Sequence, residues 1–525
     1  MKLTSITSRC GREAALLGIV LSTAAIVATR ASAQDDVARP NIILIMCDDM
    51  GFSDIGCYGG EIDTPNIDRL AAGGLRFTQF YNTSKCFPSR ACLLTGAYAQ
   101  QVGMGRMFDK LENSVTLGEV LRTAGYRTLW TGKHHGNENP VTRGFDRYYG
   151  LRDGCCNHFN PGEQREGEGM PVRKWKRYWC IDEKTYHPYT PTEKDFYTTD
   201  YFTKYALSYL EQYKDEDKPF FLYVAYTAPH DPLMAWPEDI AKYRGKYMAG
   251  WEKVRDARHE RQLEMGLIDK RFKLSGRESG DWDSLSREEK EKADLTMAIY
   301  AAMVDRMDQN IGKILDKVKE LGEEDNTLVL FCSDNGGSAE MVRIGGPGRP
   351  GTMTRWTSVG GAWANVSNTP FRKYKNYSHE GGISSPLVAY WPKVIKQQGA
   401  IVREPGHLID FMATFVDITG AEYPNEFDGR KIVPMQGRSL LPIFQGKDID
   451  ERKPLFWQWS RGKAVRKGRW KLVAFGGDWQ LYDMSVDRTE TNDLVAENPE
   501  LVRELSLLWD AWYTGCYDKA PPRKK

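Results

Sequence analysis

A chain of 525 residues is too long for one small core, and a large domain joined to a smaller one is expected. Its 72 basic and 71 acidic residues leave a formal charge of +1, which argues against a nucleic-acid binder and against a polyanionic tail. With 41% apolar and 27% charged residues, the composition is that of a globular protein.

In chain order, Lys2, Arg9 and Arg12 precede the apolar run Ala14 to Ala28, and Ala31-Ser32-Ala33 fits a small-residue cleavage site. Residues 1–33 therefore read as a signal peptide, with the mature chain starting near Gln34 in a periplasmic or secreted compartment. An uncleaved anchor is the alternative, but the run is shorter than the roughly 20 residues a spanning helix needs, and no later segment is long enough. Export permits disulfides, and Cys155 or Cys156 with Cys180 is the expected pair. Cys47 and Cys332 lie inside apolar runs and read as buried thiols.

Asn41 to Cys47 (NIILIMC) is a continuous apolar run, the pattern of a strand buried on both faces, and it ends in Asp48-Asp49-Met50-Gly51. Two carboxylates at such an exit repel each other and lose hydration, so a cation is expected between them. Pro65 starts a helix in Thr64-Pro65-Asn66-Ile67-Asp68-Arg69-Leu70. In Cys86-Phe87-Pro88-Ser89-Arg90-Ala91-Cys92-Leu93-Leu94-Thr95-Gly96, Pro88 opens a helix from Ala91 to Leu94. Cys86 then sits at a helix N-terminus, where partial positive charge and Arg90 favour an anionic substrate. Three further strands end in polar residues. Tyr126 to Trp130 leads to Lys133-His134-His135, Phe220 to Thr227 to Pro229-His230, and Thr327 to Cys332 to Ser333-Asp334-Asn335-Gly336. Adjacent His134 and His135 are also a candidate transition-metal pair.

Residues 151–199 yield no clear elements, residues 235–295 read as a charged helical insertion, and residues 296–319 carry apolar residues at helical spacing. Trp356 and Trp363, in a Gly-rich stretch, either stack on substrate or pack. Lys373 and Lys375 precede Glu380-Gly381-Gly382, Leu387 to Trp391 is a strand, and residues 407–418 are a helix. Four short strands with tight turns and a helix over residues 501–512 follow, and the basic tail at Arg523 is expected to fray.

The stretch from Cys86 to Gly96 resembles the maturation signature of the type I sulfatases, and the D-D-x-G, T-P-N-I-D-R-L, G-K-x-H, P-H, S-D-N-G and K…E-G-G elements follow the same family in order. The resemblance implies that Cys86 is oxidised to formylglycine by a maturation enzyme and that its hydrate is the nucleophile. A thiolate would be a poor substitute, since it would meet four repelling oxygens. It implies that Asp48, Asp49, Asp334 and Asn335, with residue 86, hold Ca²⁺, or less favourably Mg²⁺. An all-oxygen side-chain set suits such ions. By the same resemblance Arg90, Lys133 and Lys375 neutralise the transferring group. His230, or Lys375 beside it, protonates the leaving oxygen, and His135 takes the proton that lets sulfate depart. Lys375 is preferred over Lys373 by spacing. His134 departs from the family's Trp, and no Arg role is carried beyond Glu380-Gly381-Gly382, where Ser384-Ser385-Pro386 stands.

The expected fold is α/β: a large mixed sheet sandwiched by helices over residues 34–445, similar to the alkaline phosphatase superfamily. An α+β domain on an antiparallel sheet follows over 446–525. The expected activity is hydrolysis of an aryl or saccharide sulfate ester. A phosphonate or phosphate ester hydrolase of the same superfamily, and a non-catalytic sulfoglycan binder with unoxidised Cys86, are the alternatives. Neither nucleic acid nor a membrane span is an expected partner.

Overall fold

The computed structural model describes residues 39–517, so the expected leader and the basic tail lie outside the described residues. Eleven strands form one sheet: β1 (Asn41–Cys47), β2 (Leu75–Tyr81), β3 (Arg127–Gly132), β4 (Arg147–Leu151), β5 (Trp179–Ile181), β6 (Lys184–Tyr186), β7 (Phe220–Ala225), β8 (Thr327–Ser333), β9 (Ser384–Tyr390), β10 (Ala400–Val402) and β11 (Gly406–His407). The order is β10-β2-β9-β8-β1-β7-β3-β4-β5-β6, with β11 beside β2. The central strands β8, β1, β7, β3 and β4 run parallel, whereas β9 is antiparallel to both β2 and β8. The sheet is therefore mixed, as expected.

The apolar runs follow from burial on both faces. Ile43, Ile45 and Cys47 of β1 point into one core, and Ile42, Leu44 and Met46 into the other. The first core is covered by α1 (Pro65–Gly73), after α2 (Cys86–Thr95) and α3 (Leu117–Thr123) on the opposite face, then by α4 (Thr198–Tyr213). Next come α5 (Pro237–Tyr243), α6 (Trp251–Glu264) and the long α7 (Arg287–Glu320), then α8 (Gly361–Ser367) and α9 (Glu380–Ile383). Ser286 caps α7 in a reciprocal capping box with Glu289. The helix expected over 407–418 is α10 (Asp410–Thr419), because Gly406 and His407 are taken up by β11. Among the described residues no helix is long and apolar enough to cross a membrane.

Several expectations are corrected. α2 begins at Cys86 itself, directly after Lys85, whose side chain makes no capping bond, and Pro88 fits in its first turn because its missing N–H has no intrahelical acceptor there. Cys155, Cys156 and Cys180 are all free thiols. Cys156 belongs to one core and Cys180 to the other, so the sheet separates them. Trp356 and Trp363 are buried, Trp363 against Trp251 and Trp282, so both serve packing.

Beyond the turn of helix α11 (Leu441–Phe444) and the small hairpin β12 (Glu426–Phe427) and β13 (Arg430–Lys431), the chain forms the antiparallel sheet β14 (Leu455–Trp459), β15 (Gly462–Lys467), β16 (Trp470–Phe475) and β17 (Gln480–Asp483). One face of this sheet joins the main core through Trp457, Ala464 and Val473. The other packs on α12 (Pro499–Tyr517) through Val465, Leu472, Leu505 and Trp509. A buried charge network ties the small sheet to α9. Lys471 Nζ donates to Glu380 Oε1 and pairs with Glu490 Oε1, each at 2.8 Å, and Arg488 Nη2 lies 2.8 Å from Glu380 Oε2. Lys471→Met would leave two buried carboxylates with one direct cation, and a loss of about 3–5 kcal/mol is expected. Urea unfolding monitored by tryptophan fluorescence checks it, and an unchanged midpoint would refute it.

Candidate active site

β1, β7 and β8 are adjacent and parallel, so their C-terminal ends open on the same side, where open α/β sheets place their sites. β1 delivers Asp48 and Asp49, β7 leads to His230, β8 to Asp334 and Asn335, and β3 to Lys133 and His135. The first turn of α2 adds Cys86 and Arg90, and the segment before α9 adds Lys375. Asp49 has φ 68° and His135 φ 65°, in the left-handed region that non-glycine residues rarely occupy. Two sharp backbone reversals thus aim these side chains into the site.

Three carboxylates and three cations meet here, all buried. Lys133 Nζ donates to Asp48 Oδ2 at 2.5 Å. Arg90 donates through Nε to Asp334 Oδ2 at 2.9 Å, with Nη2 at 2.7 Å from the same oxygen. Lys375 Nζ lies 2.7 and 2.9 Å from the two carboxylate oxygens of Asp49. Burial opposes ionisation of both lysines, but Asp48 and Cys86 raise Lys133, while Asp49 and Glu340 raise Lys375 further. Both lysines are therefore cations at neutral pH. Burial, then Asp48, pushes Asp334 up to about 6.

Cys86 is 2% exposed, and burial raises its thiol against the pull of Lys133, Lys375 and Lys85. The sulfur is therefore protonated and a weak nucleophile. His135 is held neutral, first by burial and then by Lys133 and Arg90. Its ring packs between Phe87 and Phe108, with centroids 5.6 and 5.4 Å away. His230 lowers to about 4, chiefly through burial. Its Nδ1 is 2.7 Å from the Asp231 carbonyl, which can only accept, so the proton sits on Nδ1. Nε2 then faces Lys375 Nζ at 3.4 Å and Asp49 Oδ2 at 3.5 Å.

The donor set fits a hard divalent cation. Asp48 Oδ1 and Asn335 Oδ1 are buried acceptors with no hydrogen-bond donor among the described residues, the state of oxygens placed for a metal. Ligand atoms of Asp48, Asp49 and His230 also lie within 4.8 Å of one another, which makes His230 a second candidate ligand. His134 lies outside the cluster. Its ring packs on Trp130 at 5.1 Å, filling an apolar place, and burial lowers it to about 3. Among the described residues neither His134 nor His135 joins a group of three or more metal-ligating side chains.

Sequence reasoning missed Glu340 and Trp459. Glu340 bridges Lys85 at 2.7 Å and Lys375 at 3.2 Å from an irregular loop. Trp459, from β14, packs on Phe87 at 5.0 Å and donates Nε1–H to Asn376 at 2.9 Å. Glu340's only signal is its position four residues past Gly336. Trp459 has none.

The family model described as Sulfatase matches residues 40–421. The chain belongs to the sulfatase family. A second model, N-sulphoglucosamine sulphohydrolase, C-terminal, matches residues 372–507. This sulfatase is 32% identical to an uncharacterized sulfatase of Schizosaccharomyces pombe over 91% of its own length and 94% of that protein. It is 31% identical to an arylsulfatase of Klebsiella aerogenes, over 79% and 94%. Among solved structures, Ps i-CgsB in complex with k-i-k-neocarrahexaose superposes with a TM-score of 0.67 at 25% identity, covering 92% of this chain and 94% of that one. The fold is thus that of the alkaline phosphatase-like sulfatases, and the class of enzyme is a sulfuric ester hydrolase.

Proposed function

We propose that this sulfatase cleaves sulfate esters of saccharides with residue 86 as formylglycine, made by a maturation enzyme. We propose also that it uses Ca²⁺, in preference to Mg²⁺, held by Asp48, Asp49, Asp334 and Asn335 beside residue 86. The observation that carries this reading is the buried set of three cations and three carboxylates around Cys86. When present, the formylglycine supplies an oxygen nucleophile in place of sulfur, and the cation supplies positive charge against the sulfate oxygens.

The chain's own residues do the rest. Arg90, fixed by Asp334, keeps a permanent cation on the first turns of α2. Lys133 and Lys375, held protonated by their carboxylates, offer N–H donors to the transferring group. The proton for the leaving oxygen comes from Lys375 Nζ, directly or passed through the unprotonated Nε2 of His230 3.4 Å away, which Lys375 reprotonates as it gives its proton up. His135 enters as a neutral imidazole and accepts the proton whose removal releases sulfate. Packing of Phe108 and Trp459 around Phe87 gives the mouth an aromatic wall suited to the apolar face of a sugar ring. The likeness to a structure solved in complex with k-i-k-neocarrahexaose supports a saccharide. The arylsulfatase relative favours an aryl ester as the second reading. The apolar run before Ala33 supports export.

Parallel rates on 4-nitrophenyl sulfate, 4-nitrophenyl phosphate and a phenylphosphonate ester test the reaction class. Sulfate is expected to turn over fastest. A clear preference for the phosphonate would move the enzyme to the phosphonate hydrolase reading, and no turnover by matured protein of these esters or of a sulfated saccharide would leave a sulfoglycan binder.

A further inference from the structure

Beside the catalytic cluster lies a cation that the reaction above does not use. Arg177 precedes β5 and is 9% exposed. Its Nη2 donates to the Cys155 sulfur at 3.1 Å, and its guanidinium lies 4.5 Å from the centre of the Trp175 ring. Among the described residues no carboxylate oxygen comes within 4.0 Å of it. Three acids of the same stretch are taken elsewhere: Glu163 pairs with Arg173 at 2.8 Å and Lys176 at 3.4 Å, Glu168 with Arg165 and Asp182 with Arg147. Asp153 feels the charge of Arg177, but it makes no direct ion pair with it and accepts the backbone N–H of Tyr178 instead. A largely buried guanidinium whose hydrogen bond goes to a thiol is poorly compensated.

Two contacts place this segment against the site. The backbone of Gly154 lies so near His135 that a Cβ there would stand 2.7 Å from the imidazole Cε1 and Nε2. Arg177 touches Cys155, the residue after Gly154, and so approaches the catalytic cluster from its His135 side. Outward of it, Trp175 is 51% exposed, with Lys174 Nζ 4.4 Å from its ring centre. A buried fork of donors next to an exposed aromatic ring and a second cation is the chemistry that binds an anionic substituent on a sugar.

Resting on the sulfate ester hydrolase reading, we propose that Arg177, with Trp175 and Lys174, forms a subsite for a second anionic group. The preferred substrate is then a saccharide carrying another sulfate or a carboxylate near the scissile ester. The planar guanidinium matches two oxygens of either group, which a lysine at this position would not.

The test is inhibition of 4-nitrophenyl sulfate turnover by three disaccharides. One is a carrageenan disaccharide with a single sulfate, the second is the same disaccharide with two, and the third is a singly sulfated disaccharide containing a uronate. For wild-type enzyme, at least one doubly charged disaccharide is expected to inhibit about tenfold more tightly than the singly charged one, the scale of one charge-assisted contact. Which one does so tells sulfate from carboxylate. Arg177→Ala should abolish that ratio, and Arg177→Lys should retain part of it. Three outcomes would overturn the subsite: a wild-type enzyme that ignores the second charge, no inhibition by any disaccharide, or an Arg177→Ala enzyme weakened equally toward all three. The last would mark Arg177 as a support for Cys155 and its loop. Failure of matured wild-type enzyme to release sulfate from 4-nitrophenyl sulfate and from all three disaccharides would instead strike the hydrolase reading itself, and the subsite with it.

Discussion

Replacing Cys86 with alanine is expected to lower kcat/KM on 4-nitrophenyl sulfate by on the order of 10⁴-fold or more, the scale of losing a covalent nucleophile. Folding should survive, because the side chain contributes one sulfur at the first turn of α2 and the change removes no charge, so a loss of about 1 kcal/mol or less is expected. In wild-type protein expressed with a maturation enzyme, the peptide carrying residue 86 should be lighter by the exchange of H₂S for O. Peptide mass spectrometry and the activity of Cys86→Ala check the two halves separately. A fully active Cys86→Ala enzyme would end the assignment of the nucleophile.

Asp334→Ala should cost nearly as much for a different reason. It removes an expected cation ligand and also leaves Arg90, 1% exposed, without its carboxylate. Breaking such a buried pair destabilises by about 3–5 kcal/mol. Wild-type protein should hold close to one Ca²⁺ per chain and gain thermal stability as Ca²⁺ is added, by linkage. Asp334→Ala should lose both the ion and that gain, read by elemental analysis and by melting with and without Ca²⁺. His230→Ala separates the two roles open to that imidazole. If His230 is the proton donor, the variant keeps its Ca²⁺ and is slowed most on esters with poor leaving groups. Tight zinc in wild-type protein, lost on His230→Ala, would make Asp48, Asp49 and His230 a transition-metal site and overturn the oxygen-only assignment.

The parts of the site legible in the sequence are those carried by strand ends. A strand buried on both faces reads as an unbroken apolar run, so Asn41–Cys47, Phe220–Ala225 and Thr327–Ser333 are legible, and the polar residues after them fall at the C-terminal ends of the strands. Residues 151–199 are not, because β5 and β6 are three residues each and β6 is largely exposed, which leaves no period to find. Glu340 and Trp459 come from an irregular loop and from the small sheet, and only tertiary packing brings them to the surroundings of residue 86. The expected disulfide failed for a related reason. Spacing along the chain does not reveal that Cys156 and Cys180 belong to the two cores on opposite sides of one sheet.

The burial of Cys86 sets an order of events in the life of the chain. In the folded protein the sulfur is walled in by α2, Phe87 and the lysines, and Cys86 is 2% exposed, leaving no room for another protein's active site to close around it. On the proposed reading, an oxidising enzyme meets residue 86 only while β1, β7 and β8 have not yet closed over it. Maturation then races folding, and conditions that speed collapse of the nascent chain yield well-folded molecules that can never be switched on.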